Sequence, residues 1–200
     1  MESAIRSITG ETSEAIGSSR TDAGVHAKEF VCNFHTCSRI PQERFKDALN
    51  SRLPGDIVVL DSTEVPENFH SRYDCIGKTY NYSYHYKGAL NIDAVKSTFE
   101  FITGTHDFTS FRNLGSSVKT SVRTVTDLSI EKNEDIIKIF ISADGFLYNM
   151  VRIIVGTLIE VGNSKIHPQI VKEIIEAKDR SLAGPSVPPQ GLCLEKVYYY

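Results

Sequence analysis

Two β-rich runs, residues 125–131 and 136–142, flank the polar tetrapeptide Lys132-Asn133-Glu134-Asp135. A parallel neighbour needs a crossover of about a dozen residues or more, so runs this close must pair antiparallel. That hairpin excludes an all-parallel, doubly wound sheet. A second strand signal runs from Lys78 to Tyr86, where Tyr80, Tyr82, Tyr84 and Tyr86 fall on one face and Thr79, Asn81, Ser83 and His85 on the other. Helical patterns punctuate the strands. One stops at Gly10; a second follows Pro41 with Phe45, Leu49 and Leu53 on one stripe. Others are expected over 91–102 (stopped by Gly104), 146–161 and 167–178. Further strands are expected over 28–34, 57–65 and 192–199. Hairpins mixed with helices point to an α+β fold with a mostly antiparallel sheet.

Charge and composition narrow the function classes. The 200 residues carry 22 Lys+Arg against 25 Asp+Glu, a net charge of -3, which excludes a binder that is basic all over. A local basic patch for RNA remains open. The longest apolar stretch, Phe146 to Val161, is interrupted by Asn149, Arg152 and Glu160 and falls short of the roughly 20 residues of a membrane span. The start, MESAIRSITGE, has neither a basic nor an apolar leader region, so no signal peptide is expected. Cys32, Cys37, Cys75 and Cys193 form no C-x-x-C pair and have no His at zinc-finger spacing, so they read as reduced cytosolic thiols. There is no P-loop, G-x-G-x-x-G, G-x-S-x-G or H-E-x-x-H.

Four segments carry candidate chemistry. Ser19 to Ala27, SRTDAGVHA, holds Arg20, Asp22 and His26 within seven residues. Asp-x-Gly alone is common turn chemistry, but a loop feeding a strand can present a carboxylate at a sheet end. Arg152 lies in the apolar FLYNMVRIIVG, where neighbours three and four away give it no polar stripe. It is either a snorkelling side chain or a guanidinium that needs a carboxylate such as Asp22, since an unpaired buried charge is costly. The four tyrosines suit cross-strand packing, and the spacing does not say which of them could act on a base. Residues 108–126 contain Arg112, Lys119, Arg123, eight Ser/Thr and no acid, a composition suited to phosphate contacts. Phe69-His70-Ser71-Arg72-Tyr73 adds a basic-aromatic cluster suited to unpaired bases.

Taken in order, RTDAGVHA (20–27), FHSRYD (69–74), GKTYNY (77–82), GTHDFTSFR (104–112), Val122-Arg123-Thr124, NMVRIIVGTLIEVG (149–162) and AGPSVPPQGLCLEKV (183–197) resemble the tRNA pseudouridine synthase A family. The resemblance implies a pseudouridine synthase fold: two subdomains around a mostly antiparallel sheet with a central cleft. Residues 1–86 would carry the Asp loop and 87–200 the Arg helix, as one continuous catalytic unit. It implies a cytoplasmic homodimer acting on tRNA without metal or cofactor, at the family-typical uridines 38–40 of the anticodon stem-loop. By motif, the nucleophilic acid would be Asp22, the cleft tyrosine Tyr80 and the cleft arginine Arg152. Arg20 would serve RNA binding and base extrusion, with His26, His70, Arg72, Arg112, Lys119 and Arg123 as further RNA contacts. The family carries another strand ahead of the helix in which Met1 stands, so an unpaired strand edge is expected. The alternatives are a catalytically impaired RNA-binding remnant of the family, or a small α+β interaction domain in which Arg152 pairs with another acid.

Overall fold

A computed structural model describes residues 1–86, 88–113, 115 and 118–200. In chain order the elements are α1 (Glu2–Thr9), β1 (Ile16–Gly17), β2 (His26–Ala27), β3 (Cys32–Asn33), α2 (Phe45–Asn50), β4 (Gly77–His85), α3 (Ile92–Lys96), α4 (Phe99–Ile102), β5 (Gly104–Asp107), β6 (Val122–Asn133), β7 (Ile136–Ala143), α5 (Met150–Gly162), α6 (Ile170–Ala177) and β8 (Leu192–Tyr198). The chain divides into two compact units, one of Met1–Arg20 with Val31–Cys75, the other of Thr21–Phe30 with Ile76–Tyr200.

The smaller unit is built around Ala4 and Ile5 of α1 and Phe45 and Leu49 of α2, with Ile8, Phe34, Ile40, Leu53 and Val59 packed against them. Gly10 ends α1 at φ 76°, a left-handed conformation that glycine adopts without a Cβ clash, and its N–H donates to the Arg6 carbonyl. β1 and β3 pair antiparallel. Residues 57–65, expected as a strand, form none. Their backbone is held by side chains instead: Asn50 donates to the Val59 carbonyl at 2.9 Å and accepts from its N–H at 2.7 Å. Gln42 Oε1 likewise accepts from the Glu64 N–H. Val58 and Leu60 consequently stand 65% and 68% exposed. The expected strand over 28–34 shrinks to Cys32–Asn33, and a separate pairing forms just ahead of it. His26–Ala27 joins β8, and Cys32–Asn33 joins β1.

The larger unit holds a six-stranded sheet in the order β2-β8-β4-β7-β6-β5, antiparallel except between β2 and β8. The β6–β7 hairpin turns over Glu134-Asp135. One sheet face is apolar: Tyr80 lies opposite Ile141, and Tyr82 opposite Ile139. The other is polar, with the Thr79 and Ser142 hydroxyls 2.7 Å apart. Helix α5 is buried nearly all round, from Met150 and Val151 to Val161 and Gly162. It starts at 150 rather than 146 because Asn149 adopts φ 60°, ψ 10°. The helix expected over 91–102 breaks into α3 and α4, where Ser97 and Thr98 hydroxyls bond back to the Ala94 and Val95 carbonyls.

Candidate active site

The site lies within the larger unit. Asp22 sits on a turn closed by the Val25 N–H donating to the Asp22 carbonyl at 3.1 Å. Gly24, at φ 88°, meets Pro189 and Gln190; a Cβ there would be strained by its backbone angle alone. Immediately after, His26 and Ala27 pair with Cys193 and Leu194 of β8, and the Lys28 N–H donates to the Leu194 carbonyl. Leu194 also stands opposite Tyr80. One register position on β8 therefore relates the end of the Asp22 loop to Tyr80. The β4–β8 register shifts between Thr79 and Tyr80, a bulge of the kind that re-aims a side chain.

Arg152 projects from the first turn of α5. Its Nη1 donates to Asp22 Oδ2 at 3.0 Å and to Asn149 Oδ1 at 2.9 Å, and its Nε donates to the Val187 carbonyl at 2.7 Å. The guanidinium side chain is 15% exposed and the Asp22 side chain 34%. A charge this desolvated needs hydrogen-bond partners, and three acceptors take up Nε and Nη1. Among the described residues, Asp22 Oδ1 and Arg152 Nη2 have no protein partner. One carboxylate oxygen is thus tied down and the other left open. The carbonyl of Val187 is brought to Arg152 by close packing of residues 183–188 on α5: a Cβ on Gly156 would lie 1.8 Å from the Pro185 oxygen, and the Gly184 N–H donates to Thr157 Oγ1 at 2.9 Å.

Tyr80 is buried and meets Phe146 edge-on, with ring centroids 5.2 Å apart. Tyr82 donates its hydroxyl to the Pro188 carbonyl at 2.9 Å, next to the carbonyl that holds Arg152. Burial pushes the Tyr82 phenol up, opposed by the nearby Arg152 charge, and burial pushes Tyr84 up further. Both phenols therefore stay protonated at neutral pH. Sequence reasoning missed Asn149, Val187, Phe146 and Tyr82. Asn149 sits directly before a helix, and Gly156 and Gly184 mark a close approach, but neither signal names a contact with Arg152.

The remaining candidates distribute over both units. Arg20 is exposed in the smaller unit. There His70 accepts from the Arg72 and Tyr73 N–H groups and its ring lies 4.1 Å from the exposed Tyr73 ring; Arg72 donates to the Gly17 carbonyl. In the larger unit His26 and Lys119 are exposed, Arg112 is half-buried, and Arg123 donates to the Thr120 and Val122 carbonyls. Ser116 and Ser117 of the expected phosphate-binding stretch lie outside the described residues. Among those described, no group of His, Cys, Asp and Glu side chains could hold a metal ion, and no helix is long and apolar enough to cross a membrane.

The family model described as tRNA pseudouridine synthase matches residues 1–74 and 100–200. The chain belongs to the tRNA pseudouridine synthase family. It is 52% identical to tRNA pseudouridine synthase A 2 of Clostridium perfringens, over all of this chain and 88% of that protein. It is 50% identical to tRNA pseudouridine synthase A of Clostridium kluyveri and 48% identical to that of Acetivibrio thermocellus, each again over all of this chain and 88% of the relative.

Proposed function

We propose that this chain is a tRNA-modifying isomerase that converts uridine to pseudouridine at positions 38–40 of the anticodon stem-loop. The observation that carries the reading is the Asp22–Arg152 pair at 3.0 Å, with the second carboxylate oxygen open. The reaction breaks the N1–C1′ bond, turns the base, and forms a C5–C1′ bond; the C5 proton is lost and N1 gains one, so the product is an isomer. Asp22 Oδ1 acts at the sugar, as nucleophile at C1′ or as base for the C2′ proton on the way to a glycal. Arg152 holds the carboxylate in orientation through the 3.0 Å bond to Oδ2. Tyr80 stacks on the uracil and assists removal of the C5 proton.

The target nucleotide must leave its stack, at a cost of a few kcal/mol. Arg20 fills the vacated space or grips the adjacent phosphate. His26, His70, Arg72, Arg112, Lys119 and Arg123 supply further backbone and base contacts. The enzyme works as a homodimer in the cytoplasm, as the family resemblance implies, and four free cysteines fit a reducing compartment. The test is to incubate the chain with an anticodon stem-loop transcript carrying tritium at uridine C5. Proton release with pseudouridine at 38–40 supports the reading. Tight binding without release would instead make the chain an RNA-binding remnant.

A further inference from the structure

Asn149 does not do what an asparagine ahead of a helix usually does. In that position the side-chain oxygen normally accepts from the second or third backbone N–H of the helix. Here no such bond is made, and the backbone is left-handed at φ 60°, ψ 10° rather than extended. The Asn149 carbonyl still starts the helix, accepting from the Ile153 N–H at 3.0 Å. Its side-chain Oδ1 accepts instead from Arg152 Nη1 at 2.9 Å, and that same nitrogen donates to Asp22 at 3.0 Å. The two hydrogens of Nη1 are thus assigned, one to each oxygen. With Nε fixed on Val187, the guanidinium plane has no rotation left that keeps all three bonds.

We propose that Asn149 is a positioning residue for catalysis: its amide oxygen fixes the Arg152 guanidinium so that the Asp22 carboxylate is held by one oxygen and presents the other. The proposal rests on the roles given above to Asp22 and Arg152. Asparagine suits the place twice over, since it tolerates the left-handed backbone and supplies the acceptor. Without the acceptor, Nη1 has one hydrogen unassigned and the planar fork can swing about Cδ–Nε toward solvent. Asp22 would then lose its fixed orientation while both residues remain in place.

The test is Asn149→Gly in the full chain, because glycine takes the left-handed backbone without strain and removes only the side-chain acceptor. The single-turnover rate on the anticodon stem-loop should fall about 10- to 100-fold, as expected for a misplacement below 1 Å, with RNA affinity within about threefold of the parent. The melting temperature should fall by a few degrees at most, because the relieved left-handed backbone offsets part of the lost bond to Arg152. A parental rate would overturn the proposal. Should the rate fall together with a larger drop in melting temperature, Asn149→Asp decides, since it keeps the left-handed tolerance and an oxygen acceptor. Recovery of both supports the proposal, and recovery of stability without rate overturns it. Asp22→Ala, run in parallel, separates this from the parent reading: a fully active Asp22→Ala enzyme would defeat that reading, whereas an inactive one beside a fully active Asn149→Gly enzyme would defeat only the positioning role.

Discussion

Substituting Gly156 by alanine tests whether residues 183–188 hold the site together. The new Cβ would sit 1.8 Å from the Pro185 oxygen, against the 3.0 Å below which real Cβ contacts are essentially unknown, so the strand of chain crossing α5 must retreat by about 1.2 Å. Two bonds cross that contact: Gly184 N–H to Thr157 Oγ1 at 2.9 Å and Arg152 Nε to the Val187 carbonyl at 2.7 Å. A retreat of this size breaks or badly stretches both. Overpacking costs about 1–3 kcal/mol, and losing a bond to a charged group about 1.5–3 kcal/mol. The higher helix propensity of alanine returns about 1 kcal/mol. The net is a destabilisation of about 1.5–5 kcal/mol, or a fall in Tm of roughly 3–20 °C for a chain of this size. The rate of tritium release should drop more steeply, on the order of 100-fold, because Arg152 loses an acceptor and shifts by about 1 Å. Calorimetry and the release assay read the two effects separately. Gly55→Ala is the control, since nothing lies within 4 Å of its Cβ position, and it should leave both unchanged. A Gly156→Ala protein with parental Tm and rate would refute the claim that the loop's close approach fixes Arg152.

Three further outcomes follow from the geometry. Tyr80→Phe should bind RNA normally while losing most turnover, whereas Tyr80→Ala should cost about 3–5 kcal/mol because it empties a buried site against Phe146; equal turnover in Tyr80→Phe would remove the phenol from the chemistry. Lys119 is exposed, and its replacement by alanine should lower the slope of log affinity against log salt by about 0.7–0.9 while leaving the single-turnover rate at saturation unchanged; an unchanged slope would mean it touches no phosphate. The Asp107 carboxyl is held below its ordinary range by the Thr109 hydroxyl, with Lys178 at 3.0 Å contributing. A depressed folded-state value adds stability above the unfolded value near 4 and loses it as pH falls through the folded one. Asp107→Asn should therefore be less stable than the parent at pH 7, by up to about 1 kcal/mol for so exposed a pair. The gap should close below about pH 4; a gap independent of pH would contradict the assignment.

The sequence was most informative where one local pattern had one possible partner. The tyrosine alternation in β4 and the short tetrapeptide between β6 and β7 each determine a face or a pairing without help from distant residues. Arg152 was legible for a related reason, since a cation on an apolar helix demands an acid, and Asp22 answers it. Patterns shared between two environments misled. Residues 28–34 alternate like one strand but pair only at Cys32–Asn33, while 26–27 join another sheet, and 57–65 have strand composition while their backbone is held by the Asn50 and Gln42 side chains. The helix over 91–102 looked continuous because its apolar spacing is, yet two adjacent hydroxyls end its first half. What no spacing reveals is the orientation of Arg152. Asn149 and the Val187 carbonyl reach it only through a left-handed turn and a glycine contact that exist in three dimensions.

The most direct test of the central claim is tritium release from C5-labelled tRNA by Asp22→Asn, which keeps the shape of the side chain and an oxygen for Arg152 but removes the ionised carboxylate. Release should fall by at least about 1,000-fold while tRNA affinity stays within about threefold. Release at a rate comparable to the parent would show that the carboxylate beside Arg152 is not the group that acts on the uridine.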